Sequence, residues 1–247
     1  MESTTTNQST SSSKRLISAL VFVVLGFAVV GSVGLTLHKL SSDPQKPLYA
    51  TKSSETIVVD GKTYPKASIV LGVYPDKATA AEDGYKANRH DYVQYGPSTH
   101  LVLPAHTYVT MTIHAYDGGE QLNNPFFGKV LGTVGGTINI DGVDVSAVPS
   151  DNVQHTWTLH GIPSASQDPL FVNVPLPQVK VDDKDNFLPT NDPGTHNKGH
   201  TVTFSFITGG AGNYVWNCEY PCGDGSYAKF GAAMSAYGYM SGKVTVK

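Results

Sequence analysis

From Thr56 to the C-terminus, apolar residues recur at every second position in short runs, and Gly, Pro, Asn and Asp part the runs about every 10 residues. Period two is the signature of strands with one face buried and one face wet. Tyr108-Val-Thr-Met-Thr-Ile-His114 shows it cleanly, with Val109, Met111 and Ile113 directed to a core and Thr110, Thr112 and His114 outward. Val202, Phe204 and Phe206 alternate with Thr201, Thr203 and Ser205 in the same way. Thr56-Ile-Val-Val-Asp-Gly-Lys-Thr-Tyr reads as a hairpin turning at Asp60-Gly61. The segment from Gly128 to Asp151, with Gly132, Gly135-Gly136 and Asp141-Gly142, reads as short strands joined by tight turns. One short helix is expected over 76–88, and no stretch of the body sustains helical periodicity. The expected fold is an all-β, antiparallel β-sandwich over residues 56–247.

The N-terminal part obeys different rules. Residues 1–15 are Ser/Thr-rich and end on Lys14-Arg15, a composition that cannot bury a core and reads as a disordered cytoplasmic tail. Leu16 to Leu37 then runs without a charge. At about 1.5 Å rise per residue such a helix spans roughly 33 Å, enough for the hydrocarbon core of a bilayer. The expectation is one transmembrane anchor over 16–38 in a cell membrane, longer than the apolar region of a signal peptide, with the C-terminal body extracytoplasmic. Residues 39–55 read as a polar stalk. With a net charge of -3 and 15% charged residues, nothing points to a nucleic-acid partner, which requires a basic face.

The chemistry concentrates in two strands. In His155-Thr-Trp-Thr-Leu-His160, period two puts His155, Trp157 and Leu159 on the buried face and leaves His160 facing solvent. In Tyr214-Val-Trp-Asn-Cys218, Tyr214, Trp216 and Cys218 share a face, and Cys222 follows after three residues. Two chemistries fit the only two cysteines of the chain: ligation of a soft metal, or a disulfide closing the loop. His90, His100, His106 and His114 show no ligand spacing, and His196 and His200 lie in a Pro- and Gly-containing stretch. The region 164–199 is the longest irregular one, with Pro169, Pro175, Pro177, Pro189 and Pro193. Asp60, Asp117 and Asp141 stand beside glycines and read as turn residues. No nucleophile elbow, phosphate cradle or HExxH is present, so catalysis by this chain alone is not expected.

On His155-Thr156-Trp157 and Tyr214-Val-Trp216-Asn-Cys218-Glu-Tyr-Pro-Cys222-Gly223, the chain resembles the cupredoxin family, and more narrowly the extracytoplasmic CuA-type domain of haem-copper oxidase subunit II. The resemblance covers residues 100–247 and implies a Greek-key β-sandwich. It also implies copper held by His155, Cys218, Cys222 and Met240, and one-electron transfer with a haem-copper oxidase or another respiratory complex as partner. The chain departs from the family pattern after Cys222. Ser226 stands where a histidine is expected, Tyr237 stands three before Met240, no histidine follows His200, and the spacing from His155 to Cys218 is longer. Two other readings are a metal-free structural or docking subunit with a Cys218–Cys222 disulfide, as in quinol-oxidising relatives, and a surface adhesion or filament subunit.

Overall fold

In the computed structural model, residues 9–41, 46–75, 93–117, 124–161, 166–179, 199–222, 232–234 and 238–247 are described. The helix expected over 76–88, His90, His196, Ser226 and Tyr237 lie outside them. Two units are described.

The first is a single helix, α1 (Ser9–Ser41). Its stretch Lys14–Lys39 has a mean hydropathy of 2.7 in its most apolar window and none of it is buried, which makes it long and apolar enough to cross a membrane. A signal sequence near an N-terminus passes the same test. The helix starts inside the segment 1–15 that composition assigned to a tail.

The second unit holds thirteen strands in two sheets. One sheet is built from β1 (Leu48–Tyr49), β5 (His100–Leu103), β13 (Ser241–Val246), β12 (Gly212–Asn217), β9 (Val153–Gly161) and β10 (Phe171–Pro177), in that spatial order. The other runs β2 (Thr51–Val59), β3 (Lys62–Tyr74), β6 (Tyr108–Ala115), β11 (His200–Ile207), β7 (Ile138–Ile140) and β8 (Val143–Val145), with β4 (Gln94–Gly96) paired to β3. This is the β-sandwich that the alternation predicts. Most pairs are antiparallel, whereas β1 with β5, β5 with β13 and β3 with β6 run parallel.

The alternation places side chains as expected in β6 and β11. Val109, Met111, Ile113, Val202, Phe204 and Phe206 are buried. Opposite them, outward hydroxyls pair across the strands, Thr110 with Ser205 at 3.0 Å and Thr112 with Thr203 at 3.3 Å. The β2–β3 hairpin turns at Asp60 (φ 49°) and Gly61 (φ 76°), the left-handed pair that a two-residue turn of this hand needs.

Two boundaries differ from the sequence reading. Strands begin at Leu48, inside the segment 39–55 expected to be a stalk, because Leu48 and Tyr49 extend the sheet edge beside β5. Polar β2 lies at the outer edge of its sheet, where one side faces water and hydrophobic alternation is not required. The Pro-rich region 164–199 contains β10, with Pro175 and Pro177 inside it. Proline is tolerated there because β10 is the last strand of its sheet, where the outward backbone donor is used at Asn173, toward the Leu131 carbonyl, before the prolines begin.

The core between the sheets centres on two tryptophans. Trp157 and Trp216 stack with centroids 6.2 Å apart, Phe204 and Phe206 tilt against Trp157, and Tyr95 meets Trp216 edge-on at 4.8 Å. Rings of this size bury roughly 150–250 Å² each. At about 25 cal/mol per Å² that is about 4–6 kcal/mol of transfer free energy per ring. Each tryptophan stands two residues from a candidate ligand on the same face of its strand: Trp157 from His155, and Trp216 from Cys218. The strands that supply the core therefore also aim the site.

Candidate metal centre

β9 lies between β12 and β10, so its two faces meet different surroundings. The inward face carries His155, Trp157 and Leu159, as its period predicts, and all three are buried. The other face is buried as well, which the sequence reading did not anticipate: Thr156 and Thr158 are fully covered and His160 is half-buried. The cover is the segment around residues 127–131. Asn173 of β10 donates to the carbonyls of Phe127 (3.2 Å) and Lys129 (2.7 Å) and accepts from the Thr158 hydroxyl (2.8 Å). One asparagine thus satisfies two buried carbonyls and adds an acceptor for the Thr158 hydroxyl, which also meets the Thr156 hydroxyl at 2.9 Å.

Cys218 and Cys222 follow β12 and are both free and buried. Their loop is closed by a cycle of backbone hydrogen bonds. Cys218 N donates to Met240 O (2.9 Å), Met240 N to Ala233 O (3.1 Å) and Ala233 N to Cys222 O (3.1 Å). Met240 is fully buried, so this cycle ties three of the four sequence-predicted ligand residues together by their backbones, and the fourth, His155, meets both cysteine sulfurs from β9. Thr156 ties the loop to β9: its backbone N–H donates to Cys218 Sγ (3.3 Å), and its hydroxyl accepts from Glu219 N (2.8 Å). The Tyr95 hydroxyl donates to the Thr156 carbonyl (3.0 Å).

The donor atoms form a triangle. His155 Nδ1 lies 3.1 Å from Cys222 Sγ and 3.8 Å from Cys218 Sγ, and the two sulfurs are 3.4 Å apart. Among the described residues these three form a group able to hold a metal ion. The point equidistant from the three atoms is about 2.0 Å from each, against metal–nitrogen bonds of about 2.0–2.1 Å and metal–sulfur bonds of about 2.3 Å. The residues present therefore fit a single soft ion, with only a small outward movement of the sulfurs. A second ion would need a second imidazole, and no other described histidine joins the group. His200, the last histidine in the chain, is bonded to Asp141 at 2.6 Å and to the Gln178 carbonyl.

The far nitrogen of the ring has its own partner. His155 Nε2 lies 2.7 Å from Asp117 Oδ2, with both side chains almost buried. Asp117 was read from sequence as a turn residue, and the structure makes it part of the site instead. A signal for it existed: the inward phase of β6, Val109, Met111, Ile113 and Ala115, extends by two residues to Asp117. An acid at an inward position requires a partner.

These contacts determine the charge state of the metal-free site. Burial pulls the His155 imidazole down, but the hydrogen bonds to Asp117 and to Cys218 outweigh it and raise its pKa to about 9. Burial pushes the Cys218 thiol up, yet bonds from Cys222, His155 and the Thr156 N–H hold it well below the ordinary thiol range. Cys222 is pushed well above that range, first by its bond to Cys218 and then by burial. Tyr95 is kept protonated by its burial and by the neighbouring sulfurs. These shifts favour, in the metal-free site, a Cys218 thiolate beside a His155 imidazolium, with Cys222 as the sulfur that keeps its proton.

No family model and no curated protein matches the chain. Among solved structures, auracyanin B overlaps 80% of this chain and 97% of its own at 19% identity and a TM-score of 0.29. Rusticyanin from Thiobacillus ferrooxidans overlaps 74% of this chain and 77% of its own at 14% identity, with a TM-score of 0.29. A rusticyanin variant overlaps 88% and 94% at 14% identity, with a TM-score of 0.33. At these scores the likenesses carry no weight, and the reading of the site rests on its own geometry.

Proposed function

We propose that this chain is a cupredoxin-domain protein that holds one copper ion through His155, Cys218 and Cys222, with Met240 as a weak thioether ligand. The observation that carries the reading is the convergence of one imidazole nitrogen and two free thiol sulfurs on a single buried point. Thiolate and imidazole donors suit copper and exclude the hard cations, which take oxygen ligands. When bound, copper supplies a one-electron couple.

The chain's own residues prepare the site for that couple. The Thr156 N–H stabilises negative charge on the Cys218 sulfur. The His155 Nδ1 proton and the Cys222 proton leave when the ligands are occupied, so binding releases protons. Trp157, Trp216 and Tyr95 exclude water from the inner side of the site. The finer reading is a membrane-anchored electron-transfer protein of a respiratory chain, with α1 retained in the cell membrane and a haem-copper oxidase as partner, as in subunit II. It is supported by the length and apolarity of Lys14–Lys39 and by the two-cysteine loop. The single imidazole supports a mononuclear site in place of the binuclear one.

The test is copper analysis with visible and EPR spectra of the purified, copper-loaded protein. The reading expects one copper per chain and a sulfur-to-copper charge-transfer band. Lack of stoichiometric copper together with a mass two hydrogens short under non-reducing conditions would establish the metal-free, disulfide-closed alternative.

A further inference from the structure

Asp117 stands at the end of a strand in the sheet opposite to β9, so the Asp117–His155 bond joins the two sheets at the site. Its backbone is held firmly. Tyr116 N donates to the Val73 carbonyl at 2.9 Å, and the Tyr116 ring stacks on Tyr74 at 5.6 Å and faces His114 at 6.4 Å. Ala115, two residues earlier, is buried in the core. The carboxylate is therefore presented by a fixed strand end and not by a freely moving turn.

The imidazole has two ends with different tasks. Nδ1 faces the sulfurs, and Nε2 donates its proton to Asp117 Oδ2 at 2.7 Å. A ring held at Nε2 cannot turn over, so Nδ1 stays on the side of the two sulfurs, 3.1 and 3.8 Å from them. The negative charge on Asp117 also makes Nδ1 a stronger donor and favours a more positive ion. Carboxylates so placed behind a ligating histidine orient it and raise its basicity, and removing them costs 10–100-fold in metal affinity.

We infer that Asp117 is a positioning residue for the metal centre: it fixes the His155 ring with Nδ1 toward Cys218 and Cys222 and lowers the reduction potential of the bound ion. This inference rests on the copper reading for its second half only. The orientation of His155 is a property of the metal-free protein.

The experiment compares the full chain with Asp117→Asn and Asp117→Leu. In the metal-free protein, proton–nitrogen NMR of the His155 ring reads the bond directly. The wild type is expected to show a strongly deshielded, slowly exchanging Nε2 proton, and Asp117→Leu is expected to lose it. In the copper-loaded protein, Asp117→Asn, which keeps a side chain able to accept a hydrogen bond but removes the charge, raises the potential. Asp117→Leu raises it further and weakens copper binding by roughly 10–100-fold. A role confined to stability would lower the melting temperature of both variants and leave the potential and the binding constant unchanged, which overturns the inference. An Nε2 proton in rapid exchange with water in the wild type overturns it too. If copper fails to bind while the NMR signature behaves as expected, the copper reading falls and the positioning of His155 by Asp117 stands.

Discussion

The backbone N–H of Thr156 points at the Cys218 sulfur from 3.3 Å, so the ligand strand β9 and the cysteine loop are bonded through the candidate donor atom itself. At the Cys222 sulfur the backbone donor is the residue's own N–H, which also bonds the Tyr220 carbonyl at 2.8 Å, and the other contacts are His155 and Cys218. Cys218→Ala leaves the Thr156 N–H buried without an acceptor, at a cost of about 1–3 kcal/mol. Cys222→Ala leaves no backbone group stranded in this way. In urea unfolding of the metal-free protein, Cys218→Ala is expected to be the more destabilising of the two, and both abolish copper binding. Equal costs would show that the Thr156 contact contributes nothing.

The pH dependence of the metal-free protein follows from His155. Its folded pKa of about 9 lies above the ordinary histidine value, so the protonated ring stabilises the fold. That contribution is complete below about pH 6.5 and is lost as pH rises through about 9. Chemical denaturation at about pH 6 and about pH 9.5 should show the decline, and His155→Gln should flatten it. Copper behaves oppositely, since the Nδ1 proton must leave: affinity is expected to rise with pH through about 9, and to go on rising above it while Cys222 keeps the proton that it too must lose. An affinity independent of pH between these limits would contradict the imidazolium–thiolate pair.

Asn173 is the fastening of the outer layer. Asn173→Ala removes both bonds to the carbonyls of Phe127 and Lys129 and one of the two acceptors of the Thr158 hydroxyl. Leaving buried polar groups unpaired costs about 1–3 kcal/mol. Hydrogen exchange is expected to speed up first at Lys129 and Leu131, whose pairings with Ala147 and Asn173 hold the segment in place. Unchanged protection there would mean that the segment is held by other contacts.

Gly242 carries a separate constraint. It sits in β13, where a Cβ would meet the Thr99 carbonyl, and that carbonyl accepts bonds from Trp216 Nε1 (3.0 Å) and Lys243 N (3.1 Å). Gly242→Ala is expected to displace Thr99, break the Trp216 bond and lower stability by about 1–3 kcal/mol or more. Thermal melting and the near-ultraviolet signal of Trp216 read both effects. An unchanged melting temperature would show that Thr99 can yield without loss.

The sequence made the core and part of the site legible, for one physical reason. Where a strand has one apolar face, alternation alone assigns every side chain, as in β6, β11 and β12, and His155 and Cys218 inherit their direction from Trp157 and Trp216. The reading failed where that reason does not apply. Thr156 and Thr158 lie under a third layer, so their polar face is buried, and alternation cannot reveal a cover that comes from residues 127–131. The edge strands β2 and β10 carry polar residues or prolines because their free sides impose no pattern. Asp117 was obscured by the glycine that follows it in sequence, a residue type that signals a turn, although the phase of β6 already pointed the carboxylate inward.

The cycle joining Cys218, Met240, Ala233 and Cys222 consists of backbone bonds alone, and Cys218, Cys222 and Met240 are themselves members of the apolar core. Cysteine and methionine pack as small and flexible hydrophobes. A lineage could therefore replace Cys222 and Met240 with aliphatic residues and keep a filled sandwich, while Cys218, whose sulfur accepts from the Thr156 N–H, is the one to retain. In this architecture, holding a metal and remaining folded are separable traits, and selection can discard the first without endangering the second.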